Sequence, residues 1–193
     1  MFSKTAIEVC EGQQYDVDFE TRTDVTIDEY LKMIEYKTAV LVGAAMQMGA
    51  IVADAKVEDQ KGIYDFGKYL GIAFQLQDDY LDAFGDSETF GKQIGGDIVE
   101  NKKTILYHYT LALGSSKQQQ ELHNQFASSF SQTNQKIKSV KKLFLETGAA
   151  KATQEMIKKY IQNAFRCLDE LQIDASKKQI LLNFGNAMMQ RSN

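Results

Sequence analysis

The sequence predicts an all-α fold, and three observations carry that prediction. The 193 residues contain no proline, where average usage of about 5% would supply several. Proline breaks helices by removing a backbone donor and clashing with the preceding turn, so its absence favours long unbroken ones. Apolar residues recur three and four apart along most of the chain, the spacing of one helix face. The one strand-like alternation, Tyr15-Asp-Val-Asp-Phe19, has no second strand pattern to pair with, and it reads as helix.

Composition narrows the function. A hydrophobic share of 44% and a charged share of 25% are those of an ordinary soluble domain. The length suffices for one domain with a real core, so residues 1–193 are read as a single domain. A net charge of −4 leaves no basic footprint for nucleic acid. Cys10 and Cys167 show neither metal spacing nor a disulfide framework. They are expected to be buried thiols in a reducing, cytoplasmic setting. No signal-peptide pattern opens the chain. The longest apolar run, Ala39 to Ala53, is broken by Gln47 and falls short of the roughly 20 residues a bilayer needs. No stable membrane anchor is expected.

The first helix is expected over residues 3–20, from Ser3 to about Phe19. It carries Gly12-Gln13-Gln14-Tyr15-Asp16, with Gln13 and Asp16 three apart on one face. Met1 opens almost directly into it, as though the chain began inside a domain. Thr21 to Val25 is a loop, and Thr26-Ile-Asp-Glu29 is a capping box that starts the next helix. Ile27, Tyr30, Ile34, Leu41, Ala45, Met48 and Val52 keep helical spacing. The later part, with Gly43, Ala44, Ala45, Gly49, Ala50 and Ala53, is expected to be buried and closely packed. Lys37-Thr38 stands where this helix turns from amphipathic to wholly apolar. Lys37 is either a snorkelling surface lysine or a cation aimed at an anionic ligand.

Residues 56–84 form the helix around which the chain is organised. Placed at about 100° per residue, Gln75, Asp78, Asp79 and Asp82 fall within one arc roughly 100° wide. Gly67 and Gly71 lie over or beside that arc. Nearly everything else from Phe66 to Phe84 is apolar, so the helix is buried and its acids face something inside. Carboxylates in such a place need a partner or a proton. Three oxygen ligands on one face suit a hard cation, Mg²⁺ or Mn²⁺. Mg²⁺ held by few carboxylates keeps positions open for phosphate oxygens, which points to a phosphorylated ligand. The plainer alternative is a surface helix that happens to read D-D-x-x-D.

Gly85 to Lys103 holds four glycines and no clear period, and is expected to be a long mobile binding loop. Its Lys92, Lys102 and Lys103 are either the cations a phosphate ligand needs or the solvated lysines of a flexible loop. The remainder reads as scaffold. Thr104 to Leu113 is apolar on most sides. Stripes follow at Leu122, Phe126 and Phe130, at Ile137, Val140 and Phe144, and from Ala149 to Leu171. The last helix carries Ile180, Phe184 and Ala187 and ends at Arg191. The lysines from Lys136 to Lys142 read as a solvated face, and His108 and His123 receive no role.

Together these motifs resemble those of the trans-isoprenyl diphosphate synthases, the polyprenyl synthetase family. Phe74-Gln75-x-x-Asp78-Asp79-x-x-Asp82, followed by Phe84-Gly85-Asp86, is similar to the family's second aspartate-rich motif. Gly12-Gln13-x-x-Asp16 resembles its G-Q-x-x-D, and Lys37-Thr38 its K-T pair. Gly91-Lys92-x-x-Gly95-x-Asp97 and Asn101-Lys102 resemble its loop lysines. The resemblance implies an isoprenoid-synthase-type helical bundle around a central cavity, and a homodimer. It implies Mg²⁺-dependent condensation of an allylic diphosphate with isopentenyl diphosphate. Asp78 would be the main metal ligand, with Asp79 and Asp82 binding directly or through water. Lys37, Lys92 and Lys102 would hold the allylic diphosphate, and Gln75 and Thr38 would sit near the developing cation. Phe74 would pack by the isopentenyl site, and Gln13 and Asp16 would line the cavity.

One family feature is missing from these residues. The first aspartate-rich motif belongs on a helix before Gln13, with arginines for isopentenyl diphosphate, and nothing there matches it. The chain is therefore expected to be the C-terminal portion of a synthase, without its N-terminal helices and with little activity alone. A non-catalytic subunit of a heteromeric synthase is the alternative. A terpene cyclase fits less well, because Gly-Gln-x-x-Asp and Lys-Thr favour the chain-elongating family.

Overall fold

A computed structural model describes residues 1–86, 94–127 and 133–190. All regular structure among these residues is helical. In chain order the helices are α1 (Phe2–Thr21), α2 (Ile27–Ile34), α3 (Val40–Val52), α4 (Val57–Phe84), α5 (Gly96–Val99), α6 (Ile105–Leu113), α7 (Ser116–Ala127), α8 (Thr133–Glu146), α9 (Ala149–Glu170) and α10 (Ala175–Met189). A five-residue π turn, Glu35–Ala39, joins α2 to α3. No helix among the described residues is long and apolar enough to cross a membrane. The expectations for Lys92, Phe130 and Arg191 fall outside the described residues.

The chain packs as two compact units. The first comprises residues 1–18, 31–75 and the described residues of 157–191; the second holds 19–30 and the described residues of 76–156. In the first, Ile63, Phe66 and Leu70 of α4 meet Ala164, Leu168 and Leu171, with Leu181, Leu182, Met188 and Met189 packed beside them. Phe66 and Leu70 are wholly buried. Each contributes about 1.5–3 kcal/mol by leaving water. The spacing of Ile180 and Phe184 misplaced the inner face of α10, since both are exposed. Its run Ile180-Leu-Leu-Asn-Phe184 is apolar on several sides, and Gly185, close against the Phe165 ring, decides which side turns inward.

In α3 the small residues work over part of their length. Gly43 lies against Tyr64, and Gly67 of α4 lies against Met46 and Gly43. Leu41, Ala45, Met48, Gly49, Val52 and Ala53 are exposed, contrary to a helix buried all round. The π turn sets which side of α3 faces inward. Its wider i→i+5 bonding, from the Val40 N–H to the Glu35 carbonyl, breaks the 3.6-residue period. The buried face at Tyr30, Met33 and Ile34 therefore resumes at Ala39, Val40, Gly43 and Ala44. Cys10 is exposed and Cys167 half-buried, so the expectation of buried thiols fails at Cys10.

The second unit is built on Ala83, Ile98, Leu106, Leu122, Val140, Phe144 and neighbours. Its entrance is the expected capping box. The Thr26 N–H donates to Glu29 Oε2 at 2.8 Å, and the Glu29 N–H donates to Thr26 Oγ1 at 3.1 Å. Two lysines differ from the sequence reading. Lys103 donates to the carbonyls of Glu20 and Arg22 at 2.9 and 2.5 Å, and to that of Phe19 at 3.3 Å. It closes the end of α1. Lys136 is buried and donates to Asn101 Oδ1, so it does not belong to the solvated face. Between them, residues 94–104 form a fastened segment with its own short helix, α5.

Candidate functional site

Sequence-predicted residues gather in two groups, one in each unit. The first surrounds the π turn. Lys37 and Thr38 lie in its middle, and π turns recur at functional sites because they re-aim side chains that an α-helix would place elsewhere. Lys37 Nζ donates to Asp16 Oδ2 at 2.5 Å, and both side chains are mostly covered. Thr38 Oγ1 donates to Gln75 Oε1 at 3.3 Å. Four predicted residues from α1, the turn and α4 are thus joined in two polar pairs. Gln13 is exposed, and Phe74 is half-buried.

The second group is acidic. Asp78 is half-buried on α4, while Asp79 is 2% exposed. The Tyr30 hydroxyl donates to Asp79 Oδ2, so the interior carboxylate has a buried donor. Asp82 accepts the Asp97 N–H at 3.0 Å on Oδ2, at the start of α5. Gly95, with φ of 83°, donates its N–H to the Asp82 carbonyl at 2.6 Å. A left-handed residue here turns the chain so that Asp97 comes back to Asp82, and glycine adopts it without strain. Lys102, exposed on the same segment, lies 3.3 Å from Asp97 Oδ1.

Burial, then the nearby Asp97 carboxylate, pushes Asp82 up to about 6, with Asp78 adding to the rise. The Asp97 N–H and Lys102 pull the other way. Mutually repelling hard oxygen donors are what a divalent cation relieves. In donor chemistry, then, Asp78, Asp82 and Asp97 fit Mg²⁺. Among the described residues no three acidic, histidine or cysteine side chains converge into a ready metal cage. The fit is therefore one of donor type.

Sequence reading missed the roles of Tyr30, Asp97 and Lys103. Tyr30 looked like core and is core, and only its partner 49 residues away gives its hydroxyl a task. Asp97 was visible within Gly95-x-Asp97, but nothing local tied it to Asp82. Lys103 looked like a second phosphate-facing cation beside Lys102, and its contacts lie with the end of α1 instead.

A family model described as polyprenyl synthetase matches residues 1–144. The chain is 33% identical over 191 residues to a geranylgeranyl diphosphate synthase from Methanosarcina mazei, covering 99% of this chain and 56% of that one. A crystal structure of a geranylgeranyl pyrophosphate synthase superposes with a TM-score of 0.92 at 50% identity, over 100% of this chain and 60% of that chain. A geranylgeranyl pyrophosphate synthetase from Pyrococcus horikoshii gives 0.89 at 29% identity, over 99% and 57%. The chain thus spans little more than half the length of these relatives.

Proposed function

The chain belongs to the polyprenyl synthetase family, and from that premise we propose that it carries the second-aspartate-motif half of a Mg²⁺-dependent prenyl transfer site. The substrates are an allylic diphosphate and isopentenyl diphosphate, and residues 1–193 act as one domain. The observation that carries the reading is the acidic group formed by Asp78 and Asp82 of α4 with Asp97 of α5, where burial and then the Asp97 carboxylate raise Asp82 and invite a cation. The Lys37–Asp16 and Thr38–Gln75 pairs support it.

In the reaction the allylic C–O bond breaks and diphosphate leaves with the bonding electrons. The isopentenyl double bond then attacks the allylic carbon, and a proton is lost from the adduct. Asp78 would be the main metal ligand, with Asp82 and Asp79, which accepts from the Tyr30 hydroxyl, binding directly or through water. When bound, Mg²⁺ neutralises charge on the departing diphosphate. Lys37, Lys92 and Lys102 add fixed positive charge to that group, which is worth most where charge develops. Asp16 keeps the Lys37 ammonium aimed. Thr38 and Gln75 present oxygen dipoles to the allylic cation. Phe74 packs beside the isopentenyl chain, and Gln13 lines the same cavity.

These residues hold one aspartate-rich motif, so the chain alone forms product slowly from labelled isopentenyl diphosphate and geranyl diphosphate. The direct test of the site is Mn²⁺ uptake, followed by electron paramagnetic resonance in the presence of pyrophosphate. Uptake weakens by about tenfold or more in Asp78→Ala. Equal uptake by both proteins overturns the reading.

A further inference from the structure

We propose that Gly12 and Gly71 are positioning residues that clamp the π turn and so place Lys37 and Thr38. Each neighbouring helix presents the same device. On α1, Gly12 is followed four residues later by Asp16, which holds Lys37 at 2.5 Å. On α4, Gly71 is followed four residues later by Gln75, which accepts from Thr38 at 3.3 Å. Residues four apart share a helix face. Each helix therefore offers the turn a bare backbone surface and, one turn on, a polar side chain.

The contacts leave no room for a side chain. A Cβ at Gly12 would stand 2.6 Å from the Tyr36 carbonyl carbon and 2.7 Å from Lys37 Cα. One at Gly71 would stand 2.7 Å from Ala39 Cα. Carbon atoms settle about 3.5–4.0 Å apart, so alanine at either position moves the turn by about 1 Å. These neighbours are backbone, which cannot swing aside as the end of a flexible side chain can. A π turn is also a local departure from the α-helix, and the surroundings must hold it. Gly49 on α3 is a contrast, for a Cβ there meets nothing within 4 Å. Close approach, not a general glycine preference, singles out Gly12 and Gly71.

What Lys37 and Thr38 bind rests on the function proposed above; the clamp itself does not. Two measurements on the full chain separate them. The first is amide hydrogen exchange over residues 35–40. Gly12→Ala and Gly71→Ala speed exchange there by about tenfold or more relative to the rest of α3 and α4, and Gly49→Ala leaves it unchanged. The second is calorimetric binding of pyrophosphate with Mg²⁺. Gly12→Ala weakens it about tenfold or more, because a displacement near 1 Å is costly to a positioned group. In a Lys37→Ala background the same substitution adds little, since both act through one ammonium. Should Gly12→Ala not fold, Gly71→Ala and Asp16→Asn carry both tests, the latter adding no volume. If the unaltered chain does not bind pyrophosphate, the proposed function falls, and exchange alone decides the clamp. Unchanged exchange in folded glycine variants, or full additivity with Lys37→Ala, overturns the inference.

Discussion

Asp82 and His108 are both held away from their ordinary charge state, in opposite senses. Asp82 is raised from 3.8 to about 6. Between those values the native chain holds a proton that the unfolded chain has released, so this group lowers stability as pH rises. His108 is buried, in contact with the Tyr30 and Tyr107 rings, and burial lowers it from 6.5 to about 4. Here the unfolded chain binds the proton first, so stability is present above 6.5 and is lost as pH falls toward 4. The two slopes oppose each other between about pH 4 and 6. Without divalent metal, His108→Phe uncovers a stability that falls from pH 4 to 6. Asp82→Asn uncovers one that climbs from pH 4 to 6.5. Urea midpoints across that range measure both, and parallel curves would refute the assignment. The carboxylates of α4 were legible in sequence because their pattern is local. Their partners were not: Tyr30 lies 49 residues from Asp79, and Asp97 reaches Asp82 only through the turn at Gly95.

Helix boundaries are set by caps that the sequence reveals in part. The Thr26–Glu29 box is a four-residue signal and forms as read. The closure of α1 by Lys103 crosses more than 80 residues and has no local signature. Lys103→Met removes one ammonium from three carbonyls of that helix end, at a cost of about 1–3 kcal/mol. Denaturant unfolding reads that cost, and amide exchange locates the fraying near residues 19–22; a loss spread evenly over α1 would contradict the capping role. The π turn was illegible for another reason. Its five residues suit an ordinary helix, and the departure comes from what packs against them at Gly12 and Gly71. Reading one stripe from Ile27 to Val52 through that turn put Leu41, Met48 and Val52 inside, where the structure leaves them exposed.

On the scale of the whole chain, the all-α class was readable because periodicity and the missing prolines agree along its length. Five motifs in family order made the family readable too. On α3, Leu41, Ile51 and Val52 are exposed. The chain spans 56–60% of the relatives compared above, and it carries one acidic motif of the two expected of a full site. On the function proposed above, residues 1–193 by themselves would bind an allylic diphosphate through metal held at the α4 carboxylates. A calorimetric titration with geranyl thiolodiphosphate, an analogue that resists ionisation, tests it most directly. Binding that requires Mg²⁺ and weakens about tenfold or more in Asp78→Ala is the expected result. Binding that is equally strong without Mg²⁺, or unaltered by Asp78→Ala, would overturn a metal site at these carboxylates.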